Sequence, residues 1–224
     1  MYYYQFRMKG LPLNVFAFLL FLVGFFVVVG LCPTLTLSFS PSLFLLLLVW
    51  FVLHEIFHGL GFACFKEAKR EHIVYGAKLE KGIFYCMCKH EISKANILVA
   101  LLFPFFFLGI VTLSLGIWFS WPTLILLSIL NISGAAGNLV MFFAILRMPK
   151  AIRYLDRDDP TSFVIVSPES LPCKKYFGLQ LIGEGPYDPN QQVATNYQKL
   201  VLSNSSVYFL LGYFILIGLM FLVS

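Results

Sequence analysis

The sequence predicts an all-α, multi-pass membrane protein of about four or five transmembrane helices with a small cytoplasmic β-hairpin. Three observations carry that expectation. Hydrophobic residues make up 59% of the 224 and charged residues only 12%, with 25 phenylalanines, which is too apolar for a water-soluble globule. Five apolar stretches are long enough, or nearly so, to cross a hydrocarbon core of about 30 Å, which takes roughly 17–25 helical residues. All 16 basic residues also obey one topological scheme, because Lys and Arg are retained on the cytoplasmic side.

The spans are expected at residues 11–31, 43–65, 97–119, 123–146 and 207–223 of a single membrane-embedded domain, 1–224. The first has an apolar core longer than the usual 7–15 residues of a signal peptide. No small-x-small cleavage site follows it, so it reads as an uncleaved anchor. Arg7 and Lys9 precede it, seven basic residues lie from Lys66 to Lys94, and seven more lie from Arg147 to Lys199. The linkers 32–42 and 120–122 carry no charge. The amino terminus and segments 66–96 and 147–206 are therefore expected in the cytoplasm of a cell-membrane protein, with Ser224 outside. That asymmetry accounts for the net charge of +5, so no nucleic-acid partner is inferred. Among the five cysteines, Cys86, Cys88 and Cys173 would face a reducing cytoplasm, Cys64 closes a span and Cys32 alone lies outside, so no disulfide is expected.

Between the second and third spans, residues 72–90 alternate as strands do, with Ile73, Tyr75, Ile83 and Tyr85 around the breaks at Gly76 and Gly82. A hairpin is predicted there, at the cytoplasmic mouth of the second span. Residues 163–166 form a second strand candidate between Pro160 and Pro168, and 167–204 read as loosely structured. Pro104 is expected to kink the third span, and Phe103, Phe107, Trp118 and Trp121 to face lipid or anchor the interface.

The chemistry concentrates in His54-Glu55-Ile56-Phe57-His58, inside the second span. An ionisable group near the bilayer centre costs roughly 2.5–3.5 kcal/mol and marks function by default. On a helix His54 and His58, at i and i+4, present one face to a metal, with Glu55 beside them as general base. They lie 12 and 8 residues before Lys66, roughly 18 and 12 Å from the cytoplasmic helix end at 1.5 Å per residue. A third zinc ligand is expected from another span at similar depth. Asn138 lies 9 residues before Arg147, about 13 Å in by the same arithmetic, after the small residues Ser133-Gly134-Ala135-Ala136-Gly137 that let helices approach. Asn131 reads as a turn or two too deep. Asn138 alternatively only hydrogen-bonds between helices, and the histidines alternatively only pack.

The HExxH in a membrane helix, the hairpin carrying Tyr85-Cys86, and a later span with small residues before a polar one resemble the membrane zincin-peptidase family, relatives of the site-two proteases, over about residues 43–160. The resemblance implies a helical core with zinc between two spans, His54 and His58 as ligands, Glu55 as general base, and a zinc metalloendopeptidase that hydrolyses peptide bonds within the membrane. Its substrates would be membrane-anchored proteins or peptides, cut near the cytoplasmic leaflet. The family pattern carries an aspartate where Asn138 stands; an amide oxygen is neutral and a weaker ligand. Three arrangements stay open: zinc on two histidines, Asn138 and water; a carboxylate from Asp156, Asp158 or Asp159 folding back; or no metal, as in a non-catalytic pseudoprotease or immunity-like membrane protein. A metal transporter would need more intramembrane polar groups.

Three further motifs invite a reading. Cys86, Cys88 and His90 would share a strand face, but their spacing is not that of a zinc knuckle, and buried thiols with a solvent-facing histidine are expected. Glu184 and Asp188 offer an ExxxD, which Gly185 and Pro186 deny a helix. His72 reads as a strand-end residue.

Overall fold

Long apolar runs with almost no internal charge form helices, which pair the backbone groups within each run. The computed structural model describes residues 1–31, 41–78, 83–157 and 159–187. Helix α1 runs Gly10–Leu31 and α2 runs Pro41–Ala63. The third apolar stretch is α3 (Lys94–Pro104), a π-helical segment (Phe105–Val111) and α4 (Thr112–Trp118). The fourth is split into α5 (Pro122–Gly134) and α6 (Ala136–Leu146). Gly10–Gly30, Leu45–Ala63 and Lys94–Trp118 are long and apolar enough to cross a membrane, and α5 with α6 qualifies as one span broken by a 45° bend. The expected fifth span, 207–223, lies outside the described residues.

Two of these helices depart from regularity for visible reasons. Proline removes a backbone donor, and the widened π turn starts directly after Pro104. At the second break Gly134 weakens the helix. Ala135 leaves helical geometry at φ −75° and ψ 6°, so the span expected as one helix over 123–146 is two. Helices α2 and α3 meet at Gly61, where an added Cβ would lie 2.7 Å from the Cα of Ala100. Phe103 and Phe107 pack on Phe57 of α2, with centroids 6.1 and 5.9 Å away, so they join helices as well as facing outward. Trp118 and Trp121 are 82% and 57% exposed at the turn between α4 and α5.

The molecule is not purely helical. Strands β1 (Tyr2–Met8), β4 (Ile92–Ser93), β5 (Arg153–Asp156), β6 (Ser162–Ser167) and β7 (Leu179–Pro186) form an antiparallel sheet in the order β4-β5-β6-β1-β7. The expected hairpin is present as β2 (Ile73–Lys78) and β3 (Ile83–Cys88), with Ile73 opposite Cys88 and Lys78 opposite Ile83. The strand expected at 163–166 is β6, wholly buried at the sheet centre. By contrast, β1 enters between β6 and β7, with Tyr4 opposite both Ile165 and Glu184. Strand β7 corrects the reading of 167–204 as loosely structured, since residues 179–186 pair with β1. Every second side chain of β1 points inward; Tyr4 and Phe6 are buried, and Phe6 stacks on Phe163 at 5.7 Å.

Because the chain start, residues 92–93 and residues 153–186 share one sheet, all lie at one end of the helices. The joint is fixed by Lys94, whose ammonium donates to the carbonyls of Leu146 at 2.9 Å and Met148 at 2.6 Å at the carboxyl end of α6.

Candidate metal centre

Helix α2 carries His54, Glu55 and His58 with the two rings one turn apart, at 4.9 Å between centroids. Their positions are set by a neighbour on each side. His58 Nδ1 lies 2.8 Å from the carbonyl oxygen of Ala100 on α3. A carbonyl only accepts, so Nδ1 carries the proton and Nε2 keeps its lone pair. His54 Nδ1 lies 2.8 Å from Asn131 Oδ1 on α5. The Asn131 amide nitrogen donates to the Pro104 carbonyl at 3.1 Å, so its oxygen faces His54 and Nδ1 is again the donor. Both Nε2 atoms are left as acceptors.

Those two acceptors converge. Asn138 Nδ2 lies 3.1 Å from His54 Nε2 and 3.0 Å from His58 Nε2. An amide nitrogen has two protons, one for each ring. Asn138 stands in the first turn of α6, directly after the bend at Ala135. The structure thus brings His54, His58 and Asn138 to one point, with Glu55 on the adjoining face of α2. The backbone N–H of Cys86, on β3, faces the Glu55 carboxylate. The hairpin is seated by Tyr75, whose hydroxyl lies over Gly59, where an added Cβ would collide with it.

A cavity of about 350 Å³ opens over these groups, lined by His54, Glu55, His58, Cys86, Asn138 and Asp156 among others. The carboxylates that could have folded back onto the histidines are engaged elsewhere. Asp156 accepts from Cys88 N and from the Tyr154 hydroxyl, and burial pushes its carboxyl up to about 6. Asp159 caps its own turn, accepting from Thr161 N at 3.1 Å and Thr161 Oγ1 at 2.8 Å. Asp158 lies outside the described residues. Among the described residues no cluster of three His, Cys, Asp or Glu side chains could hold a metal ion. The donor set nonetheless suits zinc in its chemistry: two imidazoles with Nδ1 tied back and Nε2 free, the usual tuning of a metal-binding histidine, face an amide whose oxygen reaches them if the group turns over.

Asn131 is the site residue that sequence reasoning passed over. Depth counted along a straight helix put it too deep, but His54 sits deeper than His58 and it is His54 that Asn131 meets. The available signal was its spacing from Asn138, seven residues or two turns, which places both on one face. Of the residues in the other sequence motifs, Cys86 lines this cavity. Cys88 is buried, Cys86 half-buried and His90 exposed, with the His90 ring stacked on His72 at 4.6 Å. Glu184 lies on β7 and pairs with Lys174 at 2.6 Å, and Asp188 lies outside the described residues.

With this geometry in view, comparison with known protein families matches residues 47–153 to a family described as "Putative zincin peptidase". The matched stretch starts within α2, ahead of the two histidines, and ends at the first residue of β5. No curated protein and no solved structure matches the chain.

Proposed function

We propose, from the match of residues 47–153 to the zincin peptidase family, that this protein is a multi-pass membrane zinc metallopeptidase cutting membrane-anchored proteins or peptides near the cytoplasmic leaflet. One observation carries the reading: two imidazole lone pairs from α2 meet at a single amide from α6, beside a carboxylate, in an open cavity. His54, His58 and the Asn138 oxygen would hold the metal. Zinc bound there supplies the positive charge that polarises a scissile carbonyl and makes water acidic enough to attack near neutral pH. Glu55 takes the proton of the attacking water and passes it to the leaving amine. Asn131 and the Ala100 carbonyl hold the rings in the tautomer and orientation that coordination needs.

A peptide in a helix shields its own bonds, so a substrate must be held extended. The edge of the 72–90 hairpin would hold it by strand addition, through main-chain hydrogen bonds and with little demand on sequence. Membrane embedding is supported by α1, whose candidate span is only 6% buried within the protein. In water so large an apolar surface would be costly. The one-ended sheet supports a topology in which the amino terminus and residues 66–96 and 147–187 share the cytoplasmic side.

A second reading is favoured by one observation. The neutral Asn138 amide satisfies both histidines without a metal, as a non-catalytic pseudoprotease would allow. Elemental analysis of the detergent-purified protein separates the two: about one zinc per chain, lost in His58→Ala, is expected for the enzyme. Glu55→Gln should keep zinc and lose cleavage by roughly 10²–10⁴-fold, the usual contribution of general acid–base catalysis. A Gln variant that cuts at the wild-type rate, or a metal-free wild type, would overturn the peptidase reading.

A further inference from the structure

Asp156 is a carboxylate buried to 8% exposure at the far end of the same cavity, and neither metal binding nor proton transfer uses it. A buried carboxylate is tolerated when hydrogen-bonded, and this one has two donors. The Tyr154 hydroxyl, two residues back on β5, donates to Oδ1 at 2.6 Å. The backbone N–H of Cys88 donates to Oδ2 at 2.8 Å. The first bond is local. The second crosses from the five-stranded sheet to the hairpin.

The direction of the Cys88 N–H follows from strand alternation. Lys89 N turns inward and donates to the His72 carbonyl at 2.8 Å, so the N–H groups of Cys88 and, two residues earlier, Cys86 turn away from β2. That outer edge faces the cavity. Cys86 N–H faces Glu55 and Cys88 N–H meets Asp156. Two carboxylates therefore hold consecutive outward donors of β3, about 7 Å apart along the strand. One is the proposed general base, and the other belongs to the sheet on which β5 is built.

We propose that Asp156 is a positioning residue that ties the cavity-side edge of β3 to the five-stranded sheet and so sets the height of the substrate-holding hairpin over His54, Glu55 and His58. The role rests on the peptidase reading for its meaning in catalysis, though the tie itself does not. A strand displaced by about 1 Å carries a bound peptide out of line with the attacking water, which can cost on the order of 100-fold in rate. Asp156 touches neither the reacting atoms nor the metal donors, so its loss acts through β3.

The tie can be read without any activity. In full-length protein with Cys32, Cys64 and Cys173 replaced by serine, maleimide labelling reports Cys86 and Cys88, and the Cys88 side chain is fully buried. Asp156→Ala should speed labelling of Cys88 at least tenfold, and Asp156→Glu, which moves the carboxylate by one methylene, should also speed it. Asp156→Asn keeps an acceptor for Cys88 N–H and should label near the wild-type rate. In cleavage assays Asp156→Ala should lower kcat more than it raises KM, with zinc content unchanged. Should Asp156→Ala fail to fold, the contrast between the Glu and Asn variants decides. Cys88 protected equally in Ala, Glu and wild type, or exposed equally in Asn and Glu, overturns the proposal. Faster Cys88 labelling in a protein whose wild type cuts nothing keeps the tie and removes the enzyme.

Discussion

The two ends of the cavity treat buried polar groups in opposite ways. At the helical end, His54 and His58 both turn Nε2 to the Asn138 amide, and both of those bonds can be exchanged for bonds to a ligand. At the sheet end, Asp156 spends its bonds on Cys88 and Tyr154, which belong to the backbone scaffold. Both networks are satisfied, so satisfaction alone does not mark function. What separates them is whether removing the partner breaks the fold or only empties the site.

Substitutions sharpen that contrast, beginning with the largest expected effect. Asn131→Leu strands the Nδ1 proton of His54 and frees its ring, and should weaken zinc binding by about 10–100-fold, as loss of an orienting partner does; competition against a chromophoric chelator reads it. A variant that holds zinc as tightly as wild type would show that the bend and packing alone orient the ring.

At the other end the effect is on stability and depends on pH. The Asp156 carboxyl ionises ordinarily near 3.8 and is pushed up to about 6 by burial, which outweighs the pull of Tyr154 and Cys88 in the other direction. Between those values the folded chain binds more protons than the unfolded one. Stability is then full below about 4 and falls as pH rises through about 6. The expected loss is on the order of 2–3 kcal/mol, at about 1.4 kcal/mol per pH unit. Asp156→Asn should flatten thermal stability between pH 4 and 7, and an unchanged slope would assign the dependence to another group.

Smaller is Asn138→Asp, expected to tighten zinc by about tenfold on the scale of outer- and inner-shell changes at metal sites. Part of the gain comes from the metal-free state, because a carboxylate cannot donate to the two Nε2 atoms as the amide does. Equal zinc retention against a chelator in both forms would contradict it. Smallest is Tyr154→Phe, which removes one bond to Asp156 and should cost about 1 kcal/mol in thermal unfolding, with no change in zinc content.

Legibility in the sequence followed the range of the interactions. The helices at 11–31, 43–65 and 97–119 emerge within a few residues, because hydropathy over twenty residues is a local sum. The hairpin and β6 follow from alternation. Strand β1 was hidden, since its seven residues run directly into α1 and its partners lie more than 150 residues away. Residues 179–186 alternate weakly and carry Gly183 and Gly185, so only the edge of β1 makes them a strand. The expectation of an all-α protein failed for that reason.

For the site, the pairing of His54, Glu55 and His58 came from helical periodicity alone, and depth arithmetic pointed to Asn138. That the amide nitrogen faces both rings, that Asn131 stands behind one of them, and that Asp156 closes the far wall were decided by tertiary packing. Sequence by itself determined which segments are apolar enough to be helices and which face of α2 carries the ionisable groups, because both depend on neighbours three or four residues away. The sheet, the 45° bend and the partners of each buried donor depend on contacts between residues tens to hundreds of positions apart, whose pairing energy no local pattern records.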